Sequence, residues 1–331
     1  MNLSNTRTPT FRRNDLLEQL LEELSHDLLP AEERMASHYR QRKADYPFIW
    51  VMGPLRSGTT LFMQWLANTG IVAYPTNLLS RFYHAPIIGA KIQLLLTDPR
   101  YNFRDELGEF VRQIEYISEN GKTSGVLAPN EFWYFWRRFL ADPKRDVWSD
   151  EELRQSMDAK TMVAELVGIS DVFQKPFAAK CMLFNYNIPF LDSLFDKVLF
   201  VQLKRDPITN VASILEARKR QLGSENAWYS FKIPEYPLLK DKDPLTQSAG
   251  QLFYINKAVT QGMSTLHESR KLIVEYEAFC KNPRNIFEQI TGKLGMKHCG
   301  EYRGPEAFRL SRDAAVPFLS DIERAWKNYA G

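Results

Sequence analysis

Apolar positions recur at helical spacing from Asp15 to about Ser37 (Leu16, Leu17, Leu20, Leu21, Leu24, Leu28). Pro30 interrupts the run, so the pattern predicts two consecutive helices. The repeat is too short for a sustained heptad, which favours a helical extension packed on the main domain over a coiled coil. The next signal has a different period. "PFIWVMG" (Pro47–Gly53) is continuously apolar and stops at Gly-Pro, as a strand buried on both faces does. "TTLFMQWLANTG" then places Leu61, Trp65 and Leu66 on one helical face and ends at Gly70, a C′ glycine. "KVLFVQLK" (Lys197–Lys204) reads as a second strand, and Pro207 opens a helix that turns Val211, Ile214 and Leu215 inward. "KLIVEY" (Lys271–Tyr276) reads as a third, followed by a helix from near Pro283 to about Gly295. Strands alternating with helices predict a parallel sheet covered on both sides, a three-layer α/β fold. The stretches at about 81–170 and 227–267 read as helical insertions. The expected organisation is a helical extension over 1–45 and one α/β domain over 46–331.

Composition adds limits. The chain has 331 residues, 44% apolar and 25% charged, ordinary values for a folded protein with a sizeable core. A formal charge of +3 is too small to argue for nucleic acid, and a basic pocket for an anionic ligand accounts for it equally well. Cys181, Cys280 and Cys299 are not spaced as metal ligands and read as reduced thiols in a cytoplasmic setting. The N-terminal residues show no apolar signal core. The best apolar run, "APIIGAKIQLLL", is short and carries Lys91, so no transmembrane segment is expected.

Candidate chemistry begins at "GPLRSGTT" (Gly53–Thr60). Two glycines bracket four residues between a predicted strand and a predicted helix, the context of a phosphate-binding P-loop. Backbone N–H groups at a helix N-terminus hold an anion, and Gly58 permits close approach. Ser57, Thr59 and Thr60 add hydroxyls, and Arg56 adds a guanidinium fork. The lysine that serves a triphosphate and Mg²⁺ is missing: Thr59 stands in its place. No acidic strand end is available for a metal, since "LFVQLK" ends in lysine. The loop suits a ligand with fewer phosphates and no metal.

A second constellation is "LKRDPITNVAS". Arg205 follows a strand at the carboxyl edge of the sheet, and Ser213 lies about two helical turns further on. Together they could hold a second phosphate, although an arginine paired with Asp206 explains the pattern almost as well.

"PLRSGTTL" followed by "RDPITNVAS" resembles the paired phosphate-binding signatures of the sulfotransferases that use 3′-phosphoadenosine 5′-phosphosulfate (PAPS). "KLIVEYEAFCKNPRNIFEQITGKLGM" is similar to that family's strand–Tyr-Glu–helix segment, and "FAAKCMLF" offers Lys180 where the family often has a lysine. The matches keep the family's order across Pro47–Met296. The resemblance implies that the first loop holds the 5′-phosphosulfate, that Arg205 and Ser213 hold the 3′-phosphate, and that Tyr276 lies near adenine. An arginine inside the loop resembles the tyrosylprotein and many bacterial branches. Their glutamate base, about twenty residues past the loop arginine, has no match here, where Thr76 and Asn77 stand.

Sulfuryl transfer is chiefly positioning and charge stabilisation. Arg56 is expected to bridge phosphate and sulfonate, and Lys180 to stabilise the transferring group, without a metal. Two groups are candidate bases. Glu131, in "APNEFWYFWRRF", gains a raised pKa if its aromatic neighbours bury it; otherwise it is a helix-start residue paired with Arg137 or Arg138. His84 has a suitable intrinsic pKa, or is a packing residue. His267 and His298 read as structural. The aromatic segments "FWYFW" and "NAWYSFKIPEYP" either line an acceptor pocket or fill the core. In the first case the acceptor is a phenol, a lipid-like alcohol or a sugar. Two other readings stay open: a degenerate adenosine-nucleotide-binding protein, and a P-loop nucleotide kinase.

Overall fold

The computed structural model describes residues 7–104, 106–110, 114–119, 121–296, 300–310 and 319–330. Its strands are β1 (Phe48–Met52), β2 (Ser118–Glu119), β3 (Lys122–Thr123), β4 (Phe177–Lys180), β5 (Val198–Lys204) and β6 (Lys271–Glu275). Four of them form a parallel sheet in the order β4-β1-β5-β6, with Trp50 opposite both Ala179 and Phe200. Side chains alternate across a strand, and β1 shows it. Phe48, Trp50 and Met52 enter one core, while Ile49 and Val51 enter the other. The edge strand β6 is covered on one face only, so Leu272 and Val274 are buried and Ile273 is exposed.

The helices before β4 are α1 (Asp15–Ser37), α2 (Thr59–Asn68), α3 (Pro86–Thr97), α4 (Trp133–Arg137), α5 (Asp150–Ser156) and α6 (Ala159–Phe173). Beyond it come α7 (Ile188–Asp192), α8 (Pro207–Leu222), α9 (Tyr236–Leu239), α10 (Pro244–Ser264), α11 (Tyr276–Lys281), α12 (Pro283–Lys293) and α13 (Leu319–Ala330). Helices α2, α11 and α12 cover one face of the sheet. The larger core on the other face is built from the insertions and from α8, α10 and α13. The predicted α/β architecture is therefore present. No helix among the described residues is long and apolar enough to cross a membrane.

Three expectations change. Residues 15–37 form one helix that runs through Pro30, not two. An interior proline removes one backbone bond and costs about 3 kcal/mol, but α1 is anchored on both sides of it, by Leu21 before and by Glu32 and Ala36 after. Glu32 is fully buried and its two carboxylate oxygens accept from the backbone N–H groups of Ile87 (2.8 Å) and Ile88 (3.0 Å), the first turn of α3. Those N–H groups have no partner within their own helix. Second, the 81–170 stretch is not only helix and loop: β2 and β3 form a small antiparallel hairpin. Third, β4 is a strand of four residues, too short to stand out from its surroundings, and its pairing to β1 defines it. The "FWYFW" segment belongs mainly to the core, since Phe135 and Trp136 are buried beside Phe132.

Candidate active site

Because the four sheet strands are parallel, their carboxyl ends meet at one edge, where α/β folds bind ligands. The loop after β1 holds Arg56 at φ 60° and Gly58 at φ 92°. Gly58 caps α2 without a side chain, and a Cβ there would stand 2.2 Å from the Tyr276 ring. Only glycine lets the loop backbone pass that ring. The Arg56 Nε donates to Ser213 Oγ on α8 at 3.1 Å. The Arg56 carbonyl accepts from Arg205 Nη1 at 3.0 Å, and the Arg205 guanidinium lies 5.1 Å from the Tyr276 ring centre. At the end of β4, Lys180 donates to Thr60 Oγ1 at 2.7 Å and pairs with Glu131 Oε1 at 3.2 Å. The second oxygen of Glu131 accepts from Trp133 Nε1 at 2.6 Å. Arg56, Thr60, Glu131, Arg205, Ser213 and Tyr276 wall a cavity of about 560 Å³.

The Sulfotransferase family model matches residues 47–299, most of the chain and every strand end just described. The chain belongs to the sulfotransferase family. Sulfotransferase STF9 from Mycobacterium avium has a similar fold, at TM-score 0.54 and 15% identity, over 99% of this chain and 87% of that one. Sulfotransferase STF1 from Mycobacterium tuberculosis H37Rv is similar at TM-score 0.51 and 10% identity, over 93% and 82%. At such identities the likeness concerns the fold. No curated protein matches the chain.

Within this sulfotransferase fold, not every sequence-picked residue faces the cavity. Ser57 is fully buried and donates to the Pro54 carbonyl at 2.8 Å, so its hydroxyl shapes the loop. Thr59 is mostly buried, with Oγ1 4.0 Å from Met182 sulfur, yet it still borders the cavity. Lys180, at 4% exposure, sits behind Thr60 and Glu131. His84 does not line the cavity; it packs on Tyr83 with ring centres 4.5 Å apart. Burial, helped by the Arg138 charge, pushes His84 down to about 4. His267 bonds Ser269 beside its own turn, and His298 and Cys299 lie outside the described residues. Cys181 and Cys280 are free and buried.

The electrostatics of Glu131 correct an expectation. Burial does push its carboxyl up, but the ammonium groups of Lys180 and Lys122 and the Trp133 hydrogen bond outweigh it and hold the pKa below the usual glutamate value. Its partner is Lys180; Arg137 pairs with Asp146 and Arg138 with Glu165. Lys180 is pulled down by burial, and Glu131 opposes that. Arg205 is likewise lowered by burial, with the neighbouring Arg56 adding to it. Cations crowded beside a cavity favour an anion in it. Among the described residues no group of His, Cys, Asp or Glu could hold a metal ion.

The opposite wall was read from the sequence only in part: the hairpin residues were not singled out, whereas Tyr229 and Ser230 belong to the segment "NAWYSFKIPEYP" named as a possible pocket lining. It includes Gly121, Lys122, Tyr229 and Ser230. Ser230 stands at φ 71°, and Tyr229 is held through Gln221 Nε2 to its hydroxyl (3.0 Å) and Gln251 Nε2 to its carbonyl (3.1 Å). One signal was available: the Asn-Gly pair at 120–121 is a two-residue hairpin turn sequence.

Proposed function

We propose that the chain transfers a sulfuryl group from PAPS to a hydroxyl of an acceptor molecule. One observation carries this reading: all four sheet strands end in a cationic or aromatic group at the same edge. Arg56 after β1, Arg205 after β5 and Tyr276 after β6 line the cavity, and Lys180 on β4 stands behind its wall against Thr60 and Glu131. The donor set fits a metal-free polyanion. Loop N–H groups, two arginines and a lysine supply positive charge, and Tyr276 supplies an aromatic face for a base.

When bound, PAPS supplies a sulfuryl group joined to a good leaving group, the 5′-phosphate. Arg56 and the loop backbone hold that end, and Arg205 with Ser213 holds the 3′-phosphate. Lys180, fixed behind Thr60 and Glu131, adds positive charge to the side of the cavity where charge gathers on the transferring oxygens. Glu131 would take the acceptor's proton on a carboxylate oxygen as the acceptor oxygen bonds to sulfur and the bond from sulfur to the 5′-phosphate oxygen breaks, releasing 3′,5′-adenosine bisphosphate. Its depressed pKa keeps it ionised for that role at neutral pH. His84 receives no part in proton transfer.

The test is thermal shift with 3′,5′-adenosine bisphosphate against ATP with Mg²⁺, each with and without chelator. A ligand at 100 times its Kd stabilises by about 2.7 kcal/mol. The reading expects a chelator-insensitive shift from the bisphosphate and little from ATP. A shift requiring ATP and Mg²⁺ would favour a kinase instead, and binding without turnover of labelled PAPS would mark a degenerate relative.

A further inference from the structure

Most cations at the cavity already have work. Arg56 bonds Ser213, Arg205 bonds the Arg56 carbonyl, and Lys180 bonds Thr60 and Glu131. Lys122 differs in two ways. It lines the cavity from the β2–β3 hairpin, not from a sheet strand, and its exposed ammonium makes no ion pair among the described residues.

Its place is well fixed. Glu119 of the hairpin pairs with Arg220 on α8 at 2.9 Å. Gln64 on α2 donates to the carbonyls of Glu115 (3.0 Å) and Ile117 (2.9 Å) just before it. Thr123 donates to the Pro129 carbonyl at 2.8 Å, tying the far strand to the segment that leads into Glu131. The turn glycine, Gly121, has φ 89°, and a Cβ there would lie 3.6 Å from Thr60 Oγ1, 3.7 Å from Arg56 Nη1 and 3.9 Å from Glu131 Oε1. The hairpin therefore crosses the cavity directly above the loop arginine and the carboxylate.

With the donor held by the sheet-strand ends as proposed above, the space beside Glu131 on the hairpin side is left for the acceptor. The neighbouring wall adds two hydroxyl-bearing residues, Tyr229 and Ser230, from one of the two segments expected to line an acceptor pocket. We infer that Lys122 selects an acceptor carrying an anionic group near the hydroxyl to be sulfated, and that the hairpin holds it there as a specificity-determining residue. This rests on the sulfotransferase reading above. No bond is made or broken at Lys122; its ammonium forms a charge-assisted hydrogen bond with the acceptor's carboxylate or phosphate.

The experiment uses the full chain, labelled PAPS, and acceptor pairs differing in one charge: 4-hydroxyphenylacetate and its amide, glucuronate and glucose, glycerol phosphate and glycerol. The expected result is that at least one anionic member is sulfated with a KM lower by about tenfold than its neutral partner. Lys122→Gln should remove that difference in KM, and Lys122→Arg should restore it. Bisphosphate binding, followed by thermal shift in the same samples, should be equal in all three proteins. Neutral partners taken equally well, or no member of any pair sulfated by a protein that binds the bisphosphate, would overturn the inference. So would a Lys122→Gln protein that binds the bisphosphate about tenfold more weakly, since Lys122 would then serve the donor. If the unaltered protein fails to bind the bisphosphate, the sulfotransferase reading itself fails, and that outcome is distinct from the others.

Discussion

At the scale of single residues, two groups should separate binding from chemistry. Arg56→Ala removes the side chain that bridges the loop and Ser213. Its kcat/KM should fall by roughly 10²–10³, the usual cost of losing one charge-stabilising donor. The melting temperature should hardly move, since the Arg56 carbonyl still accepts from Arg205. Glu131→Gln should lower kcat by roughly 10²–10⁴ while leaving bisphosphate affinity in place. The pH profile carries a sharper expectation. Glu131 is depressed below its ordinary value of 4.5, so it stays ionised through the neutral range. The rate should therefore show no acid limb between pH 5 and 8. A limb near the ordinary histidine value would assign the base to another group. His84 matters for stability instead. Its pKa falls from 6.5 to about 4 on folding, so the unfolded chain binds the proton first. Its contribution is complete above 6.5 and is lost as pH falls from 6.5 toward 4. Denaturant titrations of His84→Gln across that window should show a flatter pH slope than the unaltered chain.

At the scale of elements, the phosphate-type loop and the N-terminal helix each depend on one buried contact. Gly58→Ala meets both a left-handed backbone and the Tyr276 ring, whereas Gly70→Ala meets only a left-handed backbone, with nothing within 4 Å. Backbone strain alone costs about 1–3 kcal/mol. Gly58→Ala should cost more than Gly70→Ala in a chemical melt and should also weaken bisphosphate binding, which Gly70→Ala should leave intact. For α1, Glu32→Ala strips two acceptors from the first turn of α3 and should destabilise by about 1–3 kcal/mol. Glu32→Gln keeps one acceptor and should lose less. The loop was legible because its strand, glycines and helix start lie within a dozen adjacent residues. The Glu32 contact was not, because an acid in an amphipathic helix reads as a solvated face until α3 is laid across it.

At the scale of the whole molecule, the parallel sheet is the device that makes a site out of distant segments. Strands β4, β1, β5 and β6 lie side by side, so Lys180, Arg56, Arg205 and Tyr276 gather at one edge although up to 220 residues separate them in sequence. Local pattern was enough to determine the strand–helix alternation, the strand–loop–helix setting of Gly53–Thr60 and the absence of a Walker lysine. Each of these depends on neighbours within a few residues, through side-chain period, turn geometry or the reach of a helix N-terminus. Tertiary structure alone decided the rest. Burial by itself would raise Glu131, and only the approach of Lys180 and Lys122 from other segments turns the shift downward. Ser57 looks like a ligand donor until packing turns its hydroxyl onto the Pro54 carbonyl. Pro30 looks like a helix break until α1 is seen anchored on both sides of it. Burial, charge and hydrogen bonding depend on what the fold brings near a residue, and sequence neighbours do not contain that information.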